Sequence, residues 1–593
     1  MPKFRLSRPQ GLTLLFGAAV WLFYLLAYPY HLHYQEQLQL FLFTRGYLLD
    51  LLARPGGLSD YVGTFLTQFF YVPWIGPLVM ALLLVAMQRL VYRVARPADT
   101  SKTTFLFYPL TFIPSCFYAL LLLDESYLVG GMVSVLLGLL AWWWLRDKAK
   151  AWLPVLLPVI YWVAGGAYLF VGLGGLLLIW LQANRRKPLL GTCLVTLFTV
   201  ALGICMPLAA KALLPQYPLI RLLWGADYYR FLVTFPYSIW VLWGLLVLCT
   251  VGCHGLMQAA WPQRLKKRTG LLLVCAQGVL VVGMLGWVVS ARDTAKEDVM
   301  AYDYLVRTKQ WEKGVKRANK KTPSSPLSVA DLNLCLYQCG RLSDDLFNYF
   351  QNGPEGLIPS FSRDFTIPLV AGEIYYYLGF VNTAQRFAFE AMEAAPDYRK
   401  SARAIKRLAE TNLINGQYAV AKKYLDLLTH TLFYRSWALK TTALLGQEEA
   451  INAHPEWGLL RQIRTQQDFL DSEEEKDMMI GLLLQQHPKH RMAYEYLLAY
   501  CLLTKDLDHF YQYFSLGSAL DFKAIPKSHQ EGLMFVWSLK VDDPFNTIPF
   551  PISNQVKGRM NQYRQLYLQL DNPEPALRKN FADTYWYYYQ FRN

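Results

Sequence analysis

The chain has 593 residues, 54% of them hydrophobic and only 17% charged, with a formal net charge of +15. Its mean hydropathy of +0.19 excludes an ordinary soluble enzyme of this length and points to a membrane protein. The apolar residues crowd into the first half and the remainder reads as soluble sequence, so two domains are expected, 1–292 and 293–593.

Nine apolar runs in the first half read as helices, each set against the roughly 20 residues that a bilayer demands. They lie at Gly11–Tyr28, Ile75–Val91, Thr104–Leu123, Leu128–Leu145, Trp152–Ala164, Tyr168–Leu181, Leu189–Leu208, Ser238–Ala259 and Gly270–Ser290. The stretch VAGGAYLFVGLGG leaves almost no loop between the fifth and sixth, so a re-entrant pair or one broken helix stays open there.

Basic residues flank alternate loops. Lys3, Arg5 and Arg8 precede the first helix, and Arg89, Arg93, Arg96 and Lys102 follow the second. Arg146, Lys148 and Lys150 follow the fourth, Arg185, Arg186 and Lys187 the sixth, and Arg264, Lys266, Lys267 and Arg268 the eighth. The positive-inside rule then sets the N-terminus in the cytoplasm of a bacterial inner membrane and, after nine crossings, the C-terminal half in the periplasm. A cleaved leader is the alternative for the first helix, although no small-residue cleavage site follows it. These anchoring clusters account for most of the positive charge, and nucleic acid is not called for.

Six of the nine cysteines lie in the apolar half and read as small hydrophobes. Cys335 and Cys339 stand one helical turn apart in NLCLYQCG and are either a disulfide or two packed thiols. From Asp293 onward the pattern is helical and repetitive. In YYYLGFVNTAQRFAFEAMEAAP, Gly379 is followed by Ala384, Ala388, Ala391 and Pro396, and LAETNLINGQYAVAKKYLDLL repeats the start of this with Gly416 and Ala421. Small residues where paired helices cross and a proline where the second stops resemble the tetratricopeptide repeat. Such a solenoid offers a concave surface for a protein or peptide. The tail LRKNFADTYWYYYQFRN is either a capping helix or a segment lying on lipid headgroups.

The stretch between the first two apolar runs, His31–Pro73, carries too many charges for lipid and too much grease for a plain loop. It divides at RPGG into YQEQLQLFLFTRGYLLDLL, apolar at Leu38, Phe41, Leu42, Leu48, Leu49 and Leu52, and LSDYVGTFLTQFF. Both pieces are expected to be amphipathic helices lying in the interface. Such helices need no chemistry to explain them, but three features point to some. Glu36 follows the first helix closely, at a depth where a carboxylate is costly unless paired or hydrated. The next outer loop is little more than Asp124–Glu125–Ser126, and a later outer segment carries Lys211, Arg221 and Arg230 among apolar residues.

Acids in two outer loops and cations in a third resemble the layout of the GT-C membrane glycosyltransferases, which take sugar from a polyprenyl-phosphate type of lipid carrier. The likeness covers the first 290 residues by layout and His31–Pro73 by pattern, and some members of that superfamily also carry outer tetratricopeptide repeats. It implies Glu36 as catalytic base, with Asp60 in reserve. Arg221, Arg230 and Lys211 would meet the lipid phosphate, and Asp124 and Glu125 would hold sugar hydroxyls or a divalent metal ion. It further implies a lipid-linked sugar donor, and a periplasmic protein or glycan acceptor presented by the repeats. The sequence departs from the usual pattern in having Gln-Glu-Gln around Glu36 and no Asp-x-Asp, which leaves both the base and the metal open. His31 and His33 read as polar interface groups, since no metal-ligand spacing surrounds them. As a whole chain the sequence also resembles a Bacteroidota membrane-protein family known as a domain of unknown function. The competing reading is non-enzymatic, a membrane-anchored repeat scaffold that recruits envelope proteins. A transporter fits less well, because the apolar helices hold few internal ionisable groups.

Overall fold

The computed structural model describes residues 8–97, 106–146, 148–149, 151–183, 189–226, 228, 237–258, 267–395, 397, 399–466, 472 and 474–592. The described residues contain helices and turns and no strands. The chain forms two compact units. The first comprises Met1–Asp293 together with Pro396–Ala402 and His430–Arg435, and the second Thr294–Ala395, Arg403–Thr429 and Ser436–Asn593.

In the first unit α1 spans Arg8–Leu22 and closes in a π turn, Phe23–Ala27. Pro29, which cannot continue the hydrogen-bond ladder, opens α2, Pro29–Gln37. After α3 (Arg45–Leu52) and α4 (Gly57–Thr67) come the apolar helices α5 (Ile75–Ala95), α6 (Ile113–Leu121), α7 (Val129–Leu145), α8 (Trp152–Ala164) and α9 (Ala167–Ala183). They are followed by α10 (Leu189–Leu213), the short α11 (Leu219–Trp224), α12 (Tyr237–Gln258) and α13 (Lys267–Ala291). Five of these helices, Pro9–Ala27, Ile75–Ala95, Leu190–Leu213, Tyr237–Gln258 and Leu271–Ala291, are long and apolar enough to cross a membrane. The other four apolar helices are shorter. The one expected over Thr104–Leu123 is helical only over Pro109–Leu121, and residues 98–105 lie outside the described set.

Polar side chains stitch the apolar bundle together. Thr13 donates to Gln88 Oε1 at 3.2 Å, and Gln88 Nε2 donates to Thr111 Oγ1 at 2.8 Å. Such bonds hold helices where apolar burial alone gives no preference for protein over lipid.

The first interfacial helix expected from the sequence does not form as one piece. Residues 38–44 leave the helix, and Leu38, Phe41 and Leu42 are buried in the protein. Thr44 takes extended angles and accepts from the Tyr47 N–H at 3.2 Å, which starts α3 afresh. The Phe43 N–H donates to the His430 carbonyl at 2.8 Å, so the extended stretch satisfies its backbone without helix.

The second unit begins with α14 (Thr294–Arg307), α15 (Trp311–Lys320) and α16 (Pro326–Gln338) and continues as helical hairpins. Thr366–Leu378 packs against Val381–Ala394, and Ala402–Ile414 is followed by Tyr418–Thr429. The turns within these pairs use Gly379 at φ 93° and Gly416 at φ 76°, left-handed positions that end the first helix of each pair. Cys335 and Cys339 are free thiols; burial pushes both up, and Glu312 faces Cys339. In the tail, Tyr585, Trp586, Tyr587 and Tyr588 are buried in the core of this unit, so the segment is a packed terminal helix and does not lie on headgroups.

His529 sits in this core beside Tyr494, Phe510 and Phe514, with no charged partner among the described residues, and burial drives its imidazole down to about 3. The folded value lies below the ordinary 6.5, so its contribution to stability is full above pH 6.5 and drains away as pH falls towards 3, by up to about 4 kcal/mol. Unfolding followed from pH 7 to 4 should show this loss, and His529→Phe should flatten the profile over that range.

Candidate functional site

Glycines build the site. Gly56 (φ 78°), Gly165 (φ 55°) and Gly225 (φ 61°) come from three separate turns and meet backbone to backbone. A Cβ on Gly225 would stand 2.5 Å from Gly165 Cα, and one on Gly56 would stand 2.4 Å from the Gly225 carbonyl oxygen. The Gly56 N–H donates to the Trp162 carbonyl at 2.9 Å and the Gly166 N–H to the Trp224 carbonyl at 2.8 Å. The Tyr228 hydroxyl donates to Pro55 O at 2.6 Å. The RPGG turn is thus clamped to α8 and α11. Gly225→Ala combines a left-handed strain with a steric collision and should cost about 2–4 kcal/mol. Thermal unfolding in detergent checks this against Gly244→Ala, where a Cβ meets nothing within 4 Å.

The clamp fixes α4, whose first turn carries Asp60. Gly63 packs on Gly130 at the start of α7, and a Cβ on Gly130 would come within 2.8 Å of Asp60 Oδ1. Asp60 therefore lies against the N-terminal turn of α7, where the helix dipole is positive. Arg54 Nη2 contacts Asp60 Oδ2 at 3.2 Å, and Arg399 Nη2 lies 3.7 Å from Asp60 Oδ1. Arg399 also donates to Gln39 Oε1 at 2.8 Å. Burial works against the Arg54 charge, but the Asp60 and Asp397 carboxylates outweigh it and raise the guanidinium above its ordinary value. Tyr228 adds a cation–π contact, its ring 4.8 Å from the Arg54 guanidinium carbon.

Two cavities share this cluster. One of about 140 Å³ holds Asp60 and Arg399 and has an apolar wall of Tyr118, Ile239, Leu242 and Trp243. The other, about 750 Å³, is lined by Gln39, Tyr47, Asp50, Arg54, Asp397 and Arg399 among others. Arg399 lines both.

Of the residues singled out in the sequence, Asp60 is the one at this junction. Glu36 is buried in α2, and its Oε1 accepts the Tyr434 hydroxyl at 2.8 Å. Around it Phe433 stacks on Tyr71, so the 430–435 segment is packed firmly against the first loop. Lys211 donates to the Pro215 and Tyr217 carbonyls at 2.7 and 2.8 Å, which holds the turn that follows α10. Arg221 is buried in α11, next to the Trp224–Gly225 wall of the smaller cavity. Arg230 lies outside the described residues. Asp124 is exposed, its Oδ1 accepting from the Ser126 N–H at 2.9 Å and from its hydroxyl at 2.6 Å. Glu125 is half-buried, and its loop is tied to Gln35, whose Nε2 donates to the Tyr127 carbonyl at 3.2 Å. That loop lends Ser126 and Tyr127 to the smaller cavity.

Among the described residues no three His, Cys, Asp or Glu side chains gather to hold a metal ion, so the donor set does not fit one and no step below uses it. Arg54 and Arg399 were not singled out in the sequence. Arg54 had a signal, since it stands in the quoted RPGG break, six residues before Asp60. Arg399 had none.

Residues 5–592 match the model of a family described as "Family of unknown function (DUF6057)", and the chain belongs to that family. No curated protein and no solved structure matches it.

Proposed function

We propose that this member of the family is a membrane glycosyltransferase of GT-C type, moving sugar from a polyprenyl-phosphate type of donor to an acceptor hydroxyl. One observation carries the reading: a carboxylate flanked by two arginines in a cavity that meets a larger one at Arg399, both walled by apolar and polar side chains. A transferase acting on a lipid-linked sugar needs this combination. The lipid phosphate must be met by cations, the acceptor by hydrogen-bonding groups, and a base must stand between them.

In this reading Asp60 is the base, the role the sequence had offered first to Glu36. An Asp60 carboxylate oxygen takes the proton of the acceptor hydroxyl as the hydroxyl's own oxygen bonds to the anomeric carbon. The bond between the anomeric carbon and the phosphate oxygen breaks, and its electron pair leaves with the lipid phosphate. Arg54 and Arg399 stabilise the departing anion with forked donors. Glu36 is a positioning residue that holds the first loop to Tyr434. Arg221 supports the wall of the smaller cavity, and Asp50, Gln39 and Tyr47 supply hydrogen bonds for the acceptor.

The reading extends to topology. Nine crossings leave the N-terminus cytoplasmic and the Asp60 end of the bundle facing the periplasm, with the tetratricopeptide-like hairpins on that side to engage the acceptor. The test uses the purified full-length chain in nanodiscs with a mixture of polyprenyl-phosphate sugars and an envelope extract. Mass spectrometry reads the release of polyprenyl phosphate. Consumption of at least one donor is expected, and failure to consume any of them would sink the reading.

A further inference from the structure

At the other end of α7 a second charged cavity forms. Asp60 meets this helix at Gly130, and Arg146 follows its last residue, Leu145. The 17 residues of α7 rise about 25 Å between them, close to the thickness of a hydrocarbon core. At that far end Arg93, Arg96 and Arg146 line a cavity of about 350 Å³ with Pro97 and Trp143, and among the described residues no carboxylate lines it.

The cavity is built rather than incidental. Arg146 Nη1 donates to the Arg93 and Arg96 carbonyls, both at 2.6 Å, so it caps the end of α5 and fixes the turn that carries the other two arginines. The Arg93 guanidinium carbon lies 5.3 Å from the Trp143 ring centre, and the Lys148 ammonium lies 5.1 Å from that of Trp144. Anchoring by the positive-inside rule needs basic residues near the surface, but it needs neither a cavity nor their convergence on it.

Arg146 also borders a crevice of about 50 Å³ whose apolar side is formed by Leu145, Leu153, Leu178 and Ile179 and whose polar side holds Lys148 and His254. A cationic chamber beside a slot with one aliphatic side, joined by one arginine and flanked by the exposed indoles of Trp143 and Trp144, matches an amphipathic anion. We infer that this is a binding site for the headgroup of an anionic phospholipid. The phosphodiester is held by Arg93 and Arg96, and the start of an acyl chain lies along Leu153 and Ile179. Free phosphate would make no use of the crevice. The site is independent of the transferase reading and lies at the opposite end of α7 from Asp60.

The test is native mass spectrometry of the full-length protein in neutral detergent, titrated with phosphatidylglycerol, phosphatidylcholine or inorganic phosphate. Phosphatidylglycerol should bind at least about tenfold more tightly than phosphatidylcholine. The double variant Arg93→Gln, Arg96→Gln should lose that preference, and millimolar phosphate should not displace the lipid. Arg146 is left intact because it caps α5. If the double variant unfolds early in detergent, the single Arg93→Gln variant replaces it and should weaken phosphatidylglycerol binding severalfold. Equal binding of the two lipids, an unchanged preference in the folded variant, or displacement by phosphate would each overturn the assignment.

Discussion

Asp60→Asn should reduce polyprenyl phosphate release by about 10²–10⁴-fold while leaving the protein folded. Asn matches Asp in shape, so the contact of α4 with Gly130 survives and the two cavities keep their walls. What disappears is the ability to accept the acceptor proton. The thermal unfolding midpoint in detergent should fall only modestly, because the buried Arg54 loses the Asp60 charge but keeps that of Asp397. Glu36→Gln gives the opposite signature. Glu36 is buried and accepts from Tyr434, so its loss should lower the midpoint and reduce turnover only in proportion to the disturbed loop. A large loss of turnover in Glu36→Gln with an unchanged midpoint, and none in Asp60→Asn, would return the base role to Glu36.

The second large effect lies in the helical-hairpin unit. Arg403 Nη1 contacts Asp303 at 2.6 Å and its Nη2 contacts Glu373 at 3.2 Å, while Arg407 pairs with Glu373 at 2.6 Å and Glu410 at 2.9 Å. Asp331 is fully buried beside them, and burial together with the Asp303 charge pushes its carboxyl well above the usual range. Arg403→Leu removes the guanidinium that pairs with Asp303 and one of the two that pair with Glu373, so it strands the buried Asp303 carboxylate and should destabilise the unit by about 3–5 kcal/mol. Lys422→Ala, which breaks an exposed pair with Asp426, should cost under about 1 kcal/mol. Denaturant unfolding of the full chain reads both, and a cost for Arg403→Leu as small as that for Lys422→Ala would contradict the account.

Acid tests the same nest. Burial tends to raise the Glu373 carboxyl, but Arg407 and Arg403 outweigh it and hold it at about 2, below the ordinary 4.5. Its stabilisation is complete above pH 4.5 and is lost as pH falls from there towards 2. This loss should remain in His529→Phe and shrink in Arg403→Leu, where Arg407 alone still holds the Glu373 carboxylate.

The apolar segments were legible because hydropathy and length are written locally, and the helices fall close to the expected bounds. Gly379 and Gly416 were visible as small residues expected where helices cross, whereas they stand in left-handed turns between helices. Residues 38–44 were not legible: their apolar spacing fits a helix, but the Thr44 cap and the bond from Phe43 to His430 prevail over it, and the latter joins residues 387 apart. Asp60 was visible as a carboxylate in a greasy loop, whereas its partner Arg399 follows the helix Val381–Ala394 and carries no periodic signal. Lys211 looked like a phosphate ligand because the sequence does not reveal that the Pro215 and Tyr217 carbonyls of the following turn take the ammonium. The tail tyrosines looked interfacial by composition, yet a packed core has the same preference for aromatics.

The most direct measurement is the attachment site of a photoreactive polyprenyl phosphate on the purified chain, mapped by peptide mass spectrometry. The account predicts labelling in the peptides around Tyr127–Val135 and Ile239–Trp243, weakened in a variant with Arg54→Gln and Arg399→Gln and displaced by unlabelled polyprenyl phosphate but not by phosphatidylglycerol. Labelling confined to the Arg93–Arg146 end, or labelling indifferent to both arginines, would contradict it.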